Sequence, residues 1–207
     1  MTSFTGFTQK DFDVFTIPGL DERMEQLRGH VSPKLEALAE ELSQGLTALT
    51  GDEMFVHVAK HARRTKNPPN DTWAALANSK RGYKKLPHFQ IGLWETHLFI
   101  WFAIIYENPI KQEYAKVVKA NLNQVKKQVP SDFVWSIDHT KPEAISHQEA
   151  NLEQMLDRLE TVKKAEILCG VNVDRNDPIL TNPEQFIQKC EDTFQQLEYL
   201  YRLTKEL

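Results

Sequence analysis

The stretch that decides the fold is His88-Phe-Gln-Ile-Gly-Leu-Trp-Glu95, followed after two residues by Leu98-Phe-Ile-Trp-Phe-Ala-Ile-Ile-Tyr106. Alternation in the first part predicts a strand with Phe89, Ile91 and Leu93 facing inward. The second part is apolar throughout and rich in Ile, Phe and Trp, which predicts a central strand covered on both faces. A helix is the alternative for this second part.

Further strands are expected on both sides of this stretch. Residues 54–61 alternate with period 2, placing Met54, Val56 and Val58 on one face and His57 and His61 on the other. Three other β-rich ranges predict strands: 72–78, 133–138 and 165–173. The middle of the chain is therefore mainly sheet.

Helical periodicity dominates the two ends of the chain. Thr8 caps a short first helix, Ser32-Pro33 starts a long helix that Gly51 terminates, and Asn182-Pro183 starts the last one. Two more helices are predicted: one over 110–129, closed by Pro130, and one that a Ser146/Glu149 capping box opens. The pattern predicts a single α+β domain over residues 1–207, with a mixed, mainly antiparallel sheet of five or six strands packed with helices from both chain ends.

Composition excludes an integral membrane protein. The chain has 207 residues, 41% of them hydrophobic. Its longest apolar run, 98–106, is far shorter than the ~20 residues that span a bilayer as a helix. The start, Met1 to Thr8, carries no basic and apolar export pattern, so we expect a cytoplasmic protein without a membrane partner.

The motifs of the common cofactor and metal classes are missing from the sequence. The glycines form neither a dinucleotide-binding nor a P-loop fingerprint. His57 and His61 on one strand lie about 13 Å apart, too far to chelate one ion. Cys169 and Cys190 fall on a predicted core strand and core helix, where we expect two reduced thiols and no disulfide. We therefore expect no cofactor and no metal.

Positive charge is concentrated in one part of a chain whose net charge is −4. Residues 57–88 hold a single acid, Asp71, and three of the seven histidines, His57, His61 and His88. Eight basic residues lie in the same segment: Lys60, Arg63, Arg64, Lys66, Lys80, Arg81, Lys84 and Lys85. The segment is the natural place for an anion site.

Two interpretations of this basic segment lead to chemistry. In the first, a polar sheet face binds a phosphorylated or carboxylated metabolite. Arginine donates two hydrogen bonds to the oxyanion, and a histidine acts as general acid or base. Its candidate residues are His57, His61, Arg63, Arg64, Arg81, Lys84, His88 and Gln90. The other interpretation of the same face is a solvated sheet surface with satisfied histidines. Whether any reaction is catalysed stays open.

The second interpretation is a nucleic-acid-binding module that uses residues 57–88. Lys and Arg hold the phosphate backbone, and Trp73 or Tyr83 is available for stacking. In a meander the two basic loops lie at opposite ends of strand 72–78, about 20 Å apart, so only an elongated polyanion joins them. A non-catalytic interaction scaffold is a further alternative.

Asp138-His139 is interpreted as a turn.

Several strings in the chain resemble one known family. They are Phe12-Asp-Val-Phe15, His57-Val-Ala-Lys-His-Ala-Arg-Arg64 with Asn67-Pro-Pro-Asn70 and Thr72-Trp73, and Lys80-Arg-Gly-Tyr-Lys-Lys-Leu-Pro-His-Phe89. Together they resemble the YktB-like family of uncharacterised proteins from Bacillus and related Gram-positive bacteria, over nearly the whole chain. The resemblance implies a compact α+β cytosolic protein and supplies no activity, substrate or catalytic residue.

Overall fold

The N-terminal part of the computed structural model, which describes residues 3–207, is helical. Met1 and Thr2, the first residues of the stretch considered for export, lie outside the described range. The elements are α1 (Gln9–Asp13), a 3-10 turn (Val14–Thr16), α2 (Leu20–Gln26), a π-helical turn (Leu27–Val31) and α3 (Ser32–Thr50).

Two of the expected helix ends are confirmed, and one expected cap is wrong. The Thr8 backbone N–H donates to the Asp11 carboxylate at 2.7 Å, which completes the capping box of α1. Gly51 ends α3 in the left-handed conformation, with φ of 73°. α3 begins at Ser32 as expected, but Ser32 is not its cap, because helical backbone continues from α2 into α3 through the π-helical turn. Pro33 has no N–H to give to the preceding turn, so the looser turn accommodates it.

A sheet of seven strands forms the centre of the described chain, where five or six were expected. The strands are β1 (Phe55–Val58), β2 (Asp71–Ala77), β3 (His88–Trp94), β4 (His97–Ile104), β5 (Val134–Ser136), β6 (Ile145–Ser146) and β7 (Ile167–Asp174). Their order is β1-β2-β3-β4-β7-β5-β6. The extra strand is β6, which has only two residues and is too short to show alternation in sequence.

Antiparallel pairing joins every pair of neighbouring strands within residues 3–207, so the expected mixed sheet is in fact purely antiparallel. β4 lies between β3 and β7 and is buried along nearly its whole length. The central strand is therefore confirmed, and the helical alternative for this stretch is wrong. The α+β class is confirmed as well, whereas the assignment of 1–207 to one domain stays a prediction.

The C-terminal half supplies the remaining helices. They are α4 (Lys111–Ala120), α5 (Leu122–Gln128), α6 (Leu152–Thr161) and α7 (Pro183–Arg202), with 3-10 turns at Pro178–Thr181 and Leu203–Glu206. The single helix expected over 110–129 is broken at Asn121. The Ser146/Glu149 pair is hydrogen-bonded at 2.8 Å, but Ser146 belongs to β6. The cap of α6 is Asn151, whose side chain accepts from the Gln154 amide.

One face of the sheet packs against helices, and we call it the helix-covered face. It carries Leu76, Phe89 and Phe102 in register across β2, β3 and β4, all fully or almost fully buried. The Phe89 ring lies 5.0 Å from Phe194 and 5.5 Å from Tyr201, both on α7. Burial of this apolar layer provides the main stabilisation of the fold.

The opposite face carries aromatic and polar side chains, and loops contact it. We call it the loop-covered face and define it by Trp73, Gln90, Phe99 and Trp101. A separate cluster of buried apolar residues lies here: Trp94, Phe99, Trp101, Ala103, Ile105 and Leu168, with Trp73 packed against it. The Tyr83 ring and the His139 ring contact this face from two different loops.

Two glycines allow large rings to lie close to this face. A Cβ on Gly92 would come within 2.3 Å of the Phe99 ring. A Cβ on Gly170 would lie 2.7 Å from the Trp101 ring and 2.0 Å from the Ile100 carbonyl oxygen. Both positions therefore require glycine for close approach.

Two further expectations concern membranes and thiols. Within residues 3–207, no helix has both the length and the apolar composition that crossing a membrane requires.

Cys169 and Cys190 are free and buried, which confirms the expected pair of reduced thiols. Burial raises the pKa of both thiols well above the ordinary value, so neither is a ready nucleophile.

Candidate functional site

A cavity of about 460 Å³ lies at one end of the loop-covered face. Its wall comes from the β1–β2 loop, the start of β2, the β2–β3 loop, the β4–α4 loop and the β5–β6 loop. The lining residues are Ala59, Lys60, His61, Ala62, Arg63, Arg64, Asn70, Asp71, Trp73, Tyr83, Lys84, Glu107, His139 and Thr140.

The β1–β2 loop, residues 59–70, forms the largest part of the wall. β1 ends at Val58, and His61 adopts a left-handed backbone with φ of 48°. The expected strand to His61 is therefore too long, because this residue turns the chain out of the sheet. The loop is tied down by Arg23, whose guanidinium donates to the Pro69 and Ile17 carbonyls, each at 2.9 Å.

His61 is held against the floor of the cavity. Its Nε2 lies 3.1 Å from the Thr72 hydroxyl, and its ring meets Trp73 edge-on at 5.6 Å. Burial, aided by the positive charges of Arg64 and Lys84, lowers the pKa of His61 to about 4. The ring is therefore neutral at pH 7 and acts as a hydrogen-bonding group.

The β2–β3 loop folds back over the sheet through Tyr83. The Trp73 indole N–H donates to the Tyr83 hydroxyl at 2.9 Å, and the Tyr83 ring stacks on His57 at 5.1 Å. Lys84 follows, with its Nζ 5.8 Å from the centre of the Trp73 ring. The two basic loops were expected to lie at opposite ends of β2. For Lys84 this expectation is wrong, because the β2–β3 loop folds back along the sheet and brings Lys84 to the cavity.

Asp71 places a buried carboxyl group in a cavity whose lining includes four Lys and Arg residues. The residue is 6% exposed, and its carboxylate has no side-chain hydrogen-bond partner among residues 3–207. Burial raises its pKa to about 6, although the charges of His139, Arg64 and Lys84 act in the opposite direction. Asp71 therefore changes protonation state close to neutral pH.

A histidine–carboxylate pair forms the opposite wall. The Nδ1 atom of His139 lies 2.8 and 2.9 Å from the two carboxylate oxygens of Glu166, which is 3% exposed. Glu166 also accepts the backbone N–H groups of His139 and Tyr106, at 2.9 and 3.2 Å. These bonds fix the ring, and the Nε2 atom has no partner within the described part of the chain.

Asp138, His139 and Glu166 offer three possible ligand atoms within 4.8 Å of one another. Each group is already engaged, however. The Asp138 carboxylate accepts the backbone N–H and the hydroxyl of Thr140, at 2.9 and 2.6 Å. Glu166 accepts three N–H groups, two from the backbone and one from His139 Nδ1. Hydrogen bonds account for this cluster without an ion.

The structure brings only part of the expected site together. Four of the eight candidate residues line the cavity: His61, Arg63, Arg64 and Lys84. Four do not: His57, Arg81, His88 and Gln90. His57 Nε2 lies 2.8 Å from the Ser79 carbonyl, beneath Tyr83.

His88 and Gln90 form a buried pair beneath the loop. The two ring nitrogens of His88 contact the Leu86 carbonyl at 2.8 Å and the Gln90 amide nitrogen at 2.7 Å. Complete burial lowers the pKa of His88 to about 4. Both polar groups of this histidine are therefore satisfied within the fold.

Sequence reasoning missed five charged residues or histidines at or behind the cavity: Lys60, Asp71, Glu107, His139 and Glu166. Asp71 is the single acid in the basic segment, and that contrast is the one local signal available for it. His139 was assigned to a turn, which is correct for its backbone. Glu166 lies 27 residues further along, and no spacing rule joins the two.

Comparison with known proteins places the chain among uncharacterised bacterial sequences. A family model described as a domain of unknown function, DUF1054, matches residues 7–201. A UPF0637 protein of Bacillus velezensis is 57% identical over 204 residues, and the alignment covers 97% of each chain. A UPF0637 protein of Bacillus licheniformis is 54% identical over 204 residues, again 97% of each chain. A Bacillus cereus relative is 52% identical over 200 residues, or 95% of this chain and 96% of that protein.

Proposed function

We propose that this chain, which belongs to the DUF1054 family of proteins of unknown function, binds a small phosphorylated or carboxylated molecule in the cavity beside Trp73. The resemblance to uncharacterised Bacillus proteins is confirmed by relatives that are 51 to 57% identical over nearly the full length. The descriptions of these relatives name no activity, so the proposal rests on the cavity itself.

Four unpaired cations around one cavity carry the proposal. Lys60, Arg63, Arg64 and Lys84 line it, and none has a carboxylate within ion-pair distance among the residues that the structure describes. Elsewhere in the described chain seven Lys and Arg residues have a carboxylate partner, as Lys119 has in Glu160 at 2.5 Å. A bound oxyanion relieves the repulsion between clustered cations and gains charge-assisted hydrogen bonds.

The size and lining of the cavity favour a small ligand over a polymer. Sites for small molecules typically have volumes of about 300 to 1,000 Å³ and combine apolar walls with a few polar groups. Here Trp73 and Tyr83 supply the aromatic wall, and Arg81 lies outside. The basic loops converge through Lys84, so a ligand need not be long to contact both of them.

The cytoplasm is the compartment that we propose for this activity. Phosphorylated metabolites are concentrated there, and the two free, buried thiols suit a reducing environment.

Isothermal titration calorimetry with pyrophosphate and orthophosphate tests the proposal. We expect R64A to weaken pyrophosphate binding about 10- to 100-fold, the range for loss of one charge-assisted contact of 1.5 to 3 kcal/mol. R81A is the matched control, because Arg81 has the same charge in the same basic segment but lies outside the cavity. Its affinity should match that of the wild type.

Two results contradict the proposal. Absence of heat with both anions at low salt removes the anion site. An equal loss in R64A and R81A points to a diffuse basic surface, as a nucleic-acid-binding module requires. Fluorescence anisotropy with labelled single- and double-stranded RNA and DNA then measures that alternative, whose affinity falls steeply as salt rises.

A further inference from the structure

We infer that the cavity is a hydrolytic site for a phosphate ester, in which Nε2 of His139 accepts the proton of the attacking water and Glu166 is the positioning residue. This inference deepens the proposed function and rests on it, since the cations of the cavity hold the phosphate. It assigns a base and a substrate class to the site.

The hydrogen bonds of His139 define its role. Because Glu166 accepts at Nδ1, the proton of the neutral ring resides there, and Nε2 carries the free lone pair. The His139 side chain is 12% exposed and lines the cavity, so that lone pair is available to a molecule bound inside. A base oriented by a third group is the arrangement of general base catalysis.

The other histidines near the cavity lack this arrangement. His61 lines the cavity, but its neighbour is the Thr72 hydroxyl, not a carboxylate. His88 has both nitrogens engaged, and His57 contacts a backbone carbonyl. Among the described residues, His139 is thus the cavity histidine that combines a carboxylate partner with a free nitrogen.

Asp71 supplies the complementary acid. Asp71 and His139 both line the same cavity, from the start of β2 and from the β5–β6 loop. The raised pKa of Asp71, about 6, keeps a fraction of the group protonated near neutral pH. One group is thus prepared to accept a proton and the other to donate one, as paired acid and base catalysts require.

The step balances without any co-reactant besides water. The water oxygen forms a bond to phosphorus as one of its protons passes to Nε2 of His139. The bond from phosphorus to the ester oxygen breaks, and that oxygen takes the proton of Asp71 and leaves as an alcohol. Proton exchange with solvent then returns His139 to its neutral form and Asp71 to its acid form.

Acylation by diethyl pyrocarbonate tests the base, because the reagent reacts with a free imidazole nitrogen. The full chain is treated at pH 7, and each histidine is quantified by peptide mass spectrometry. We expect His139 to react faster than His30, which is exposed and has no carboxylate partner in the described chain. Saturating pyrophosphate should slow His139 and leave His30 unchanged.

Variants at position 166 separate a positioning role from a structural one. Loss of the carboxylate that orients a metal-binding histidine typically costs 10- to 100-fold in metal affinity or activity, and we apply the lower end of that range to a histidine that acts as a base. We therefore expect E166Q to slow acylation of His139 about 10-fold, with partial recovery in E166D. His88, which is completely buried, should stay unreactive in each variant that is folded normally.

The outcomes are distinct. If His139 reacts more slowly than His30 in the wild-type protein, the inference is overturned, and this comparison needs no variant. The inference is also overturned if His139 reacts as fast in E166Q as it does in the wild type. If His139 is fast and dependent on Glu166 but pyrophosphate gives no protection, the base stands and the anion-binding function fails. If pyrophosphate protects His139 and the reactivity of His139 depends on Glu166, both the oriented base and the anion site are supported.

Discussion

The two faces of the sheet differ in role: one packs into the apolar core, and the other borders the cavity. On the helix-covered face, Phe89 and Phe102 are buried against rings of α7, and the layer is apolar. On the loop-covered face, neighbouring positions of the same strands carry Gln90 and Trp101. Helices exclude water over a broad apolar area, whereas loops leave a cavity that polar side chains can line.

The comparison shows how one set of strands serves both purposes. Successive side chains of a strand point to opposite faces, so β2 presents Leu76 to the helices and Trp73 to the cavity. Loss of a buried ring on the first face should therefore lower the free energy of unfolding. Changes on the second face should alter stability with a sign that depends on the group changed, and those near the cavity should also alter binding. Four predictions test this division, in order of decreasing effect.

The largest effect is expected from F102A on the helix-covered face. Phe102 is 2% exposed and packs against Phe89 and Tyr201. Truncation removes its buried ring and leaves a cavity, so the free energy of unfolding should fall by about 3 to 5 kcal/mol. Urea denaturation measures this, and the folded fraction should still bind pyrophosphate. A loss below 1 kcal/mol would contradict the assigned role of this face.

G170A should disturb the loop-covered face through the backbone. The added Cβ would lie 2.0 Å from the Ile100 carbonyl oxygen and 2.7 Å from the Trp101 ring, so strand or ring must move. We expect a loss of about 3 kcal/mol in the free energy of unfolding, at the upper end for overpacking.

The matched control for G170A is G29A, because no atom lies within 4 Å of a Cβ at Gly29. Alanine there should raise the free energy of unfolding by about 0.4 to 1 kcal/mol, since it restricts the unfolded chain. Equal effects of the two variants would show that close packing at Gly170 is unimportant.

D71N should stabilise the protein at alkaline pH. The pKa of Asp71 rises from 3.8 to about 6 on folding, so the folded state holds its proton more tightly, and wild-type stability falls as pH rises from about 4 to 6. Above pH 6 the full cost of a buried charge is present. Asparagine removes it, and we expect a gain of about 2 kcal/mol at pH 8 and little gain at pH 4.

Unfolding curves of both proteins between pH 4 and 8 measure this difference. A gain that stays constant with pH would show that Asp71 does not titrate in this range. A loss at pH 8 would show that its charge is compensated in the folded protein.

Y83F is expected to have the smallest effect on stability. It removes the hydroxyl that accepts the Trp73 indole N–H, a contact worth about 1 kcal/mol. Because this bond holds the loop that positions Lys84, pyrophosphate affinity should fall as well. Calorimetry and urea denaturation together measure both effects. Unchanged binding would show that stacking of the ring on His57 is sufficient to hold the loop.

Strong local patterns carried most of the fold prediction. The apolar run at 98–106 predicted β4, and the leucine stripe that ends at Gly51 predicted the end of α3, because burial and helix termination leave local signals. Short elements leave no such local signal in the sequence. β6 has two residues, and the break at Asn121 interrupts an otherwise continuous helical pattern.

The candidate site was predictable only in part. Charge alone located Arg63, Arg64 and Lys84, which line the cavity. Arg81, in the same charge cluster, lies outside it, because charge along a chain does not determine which way a loop folds.

The sequence by itself determined the α+β class, the order of the main elements, the two-sided burial of β4 and the concentration of positive charge in residues 57–88. Each of these follows from residue type and spacing within a short window. Only the tertiary structure placed His139, with Glu166 bonded behind it, in the same cavity as Asp71 and Lys84. These residues come from separate segments, and their proximity depends on strand order and on loops that fold back over the sheet. Neither leaves a pattern in the local sequence, because both result from long-range packing.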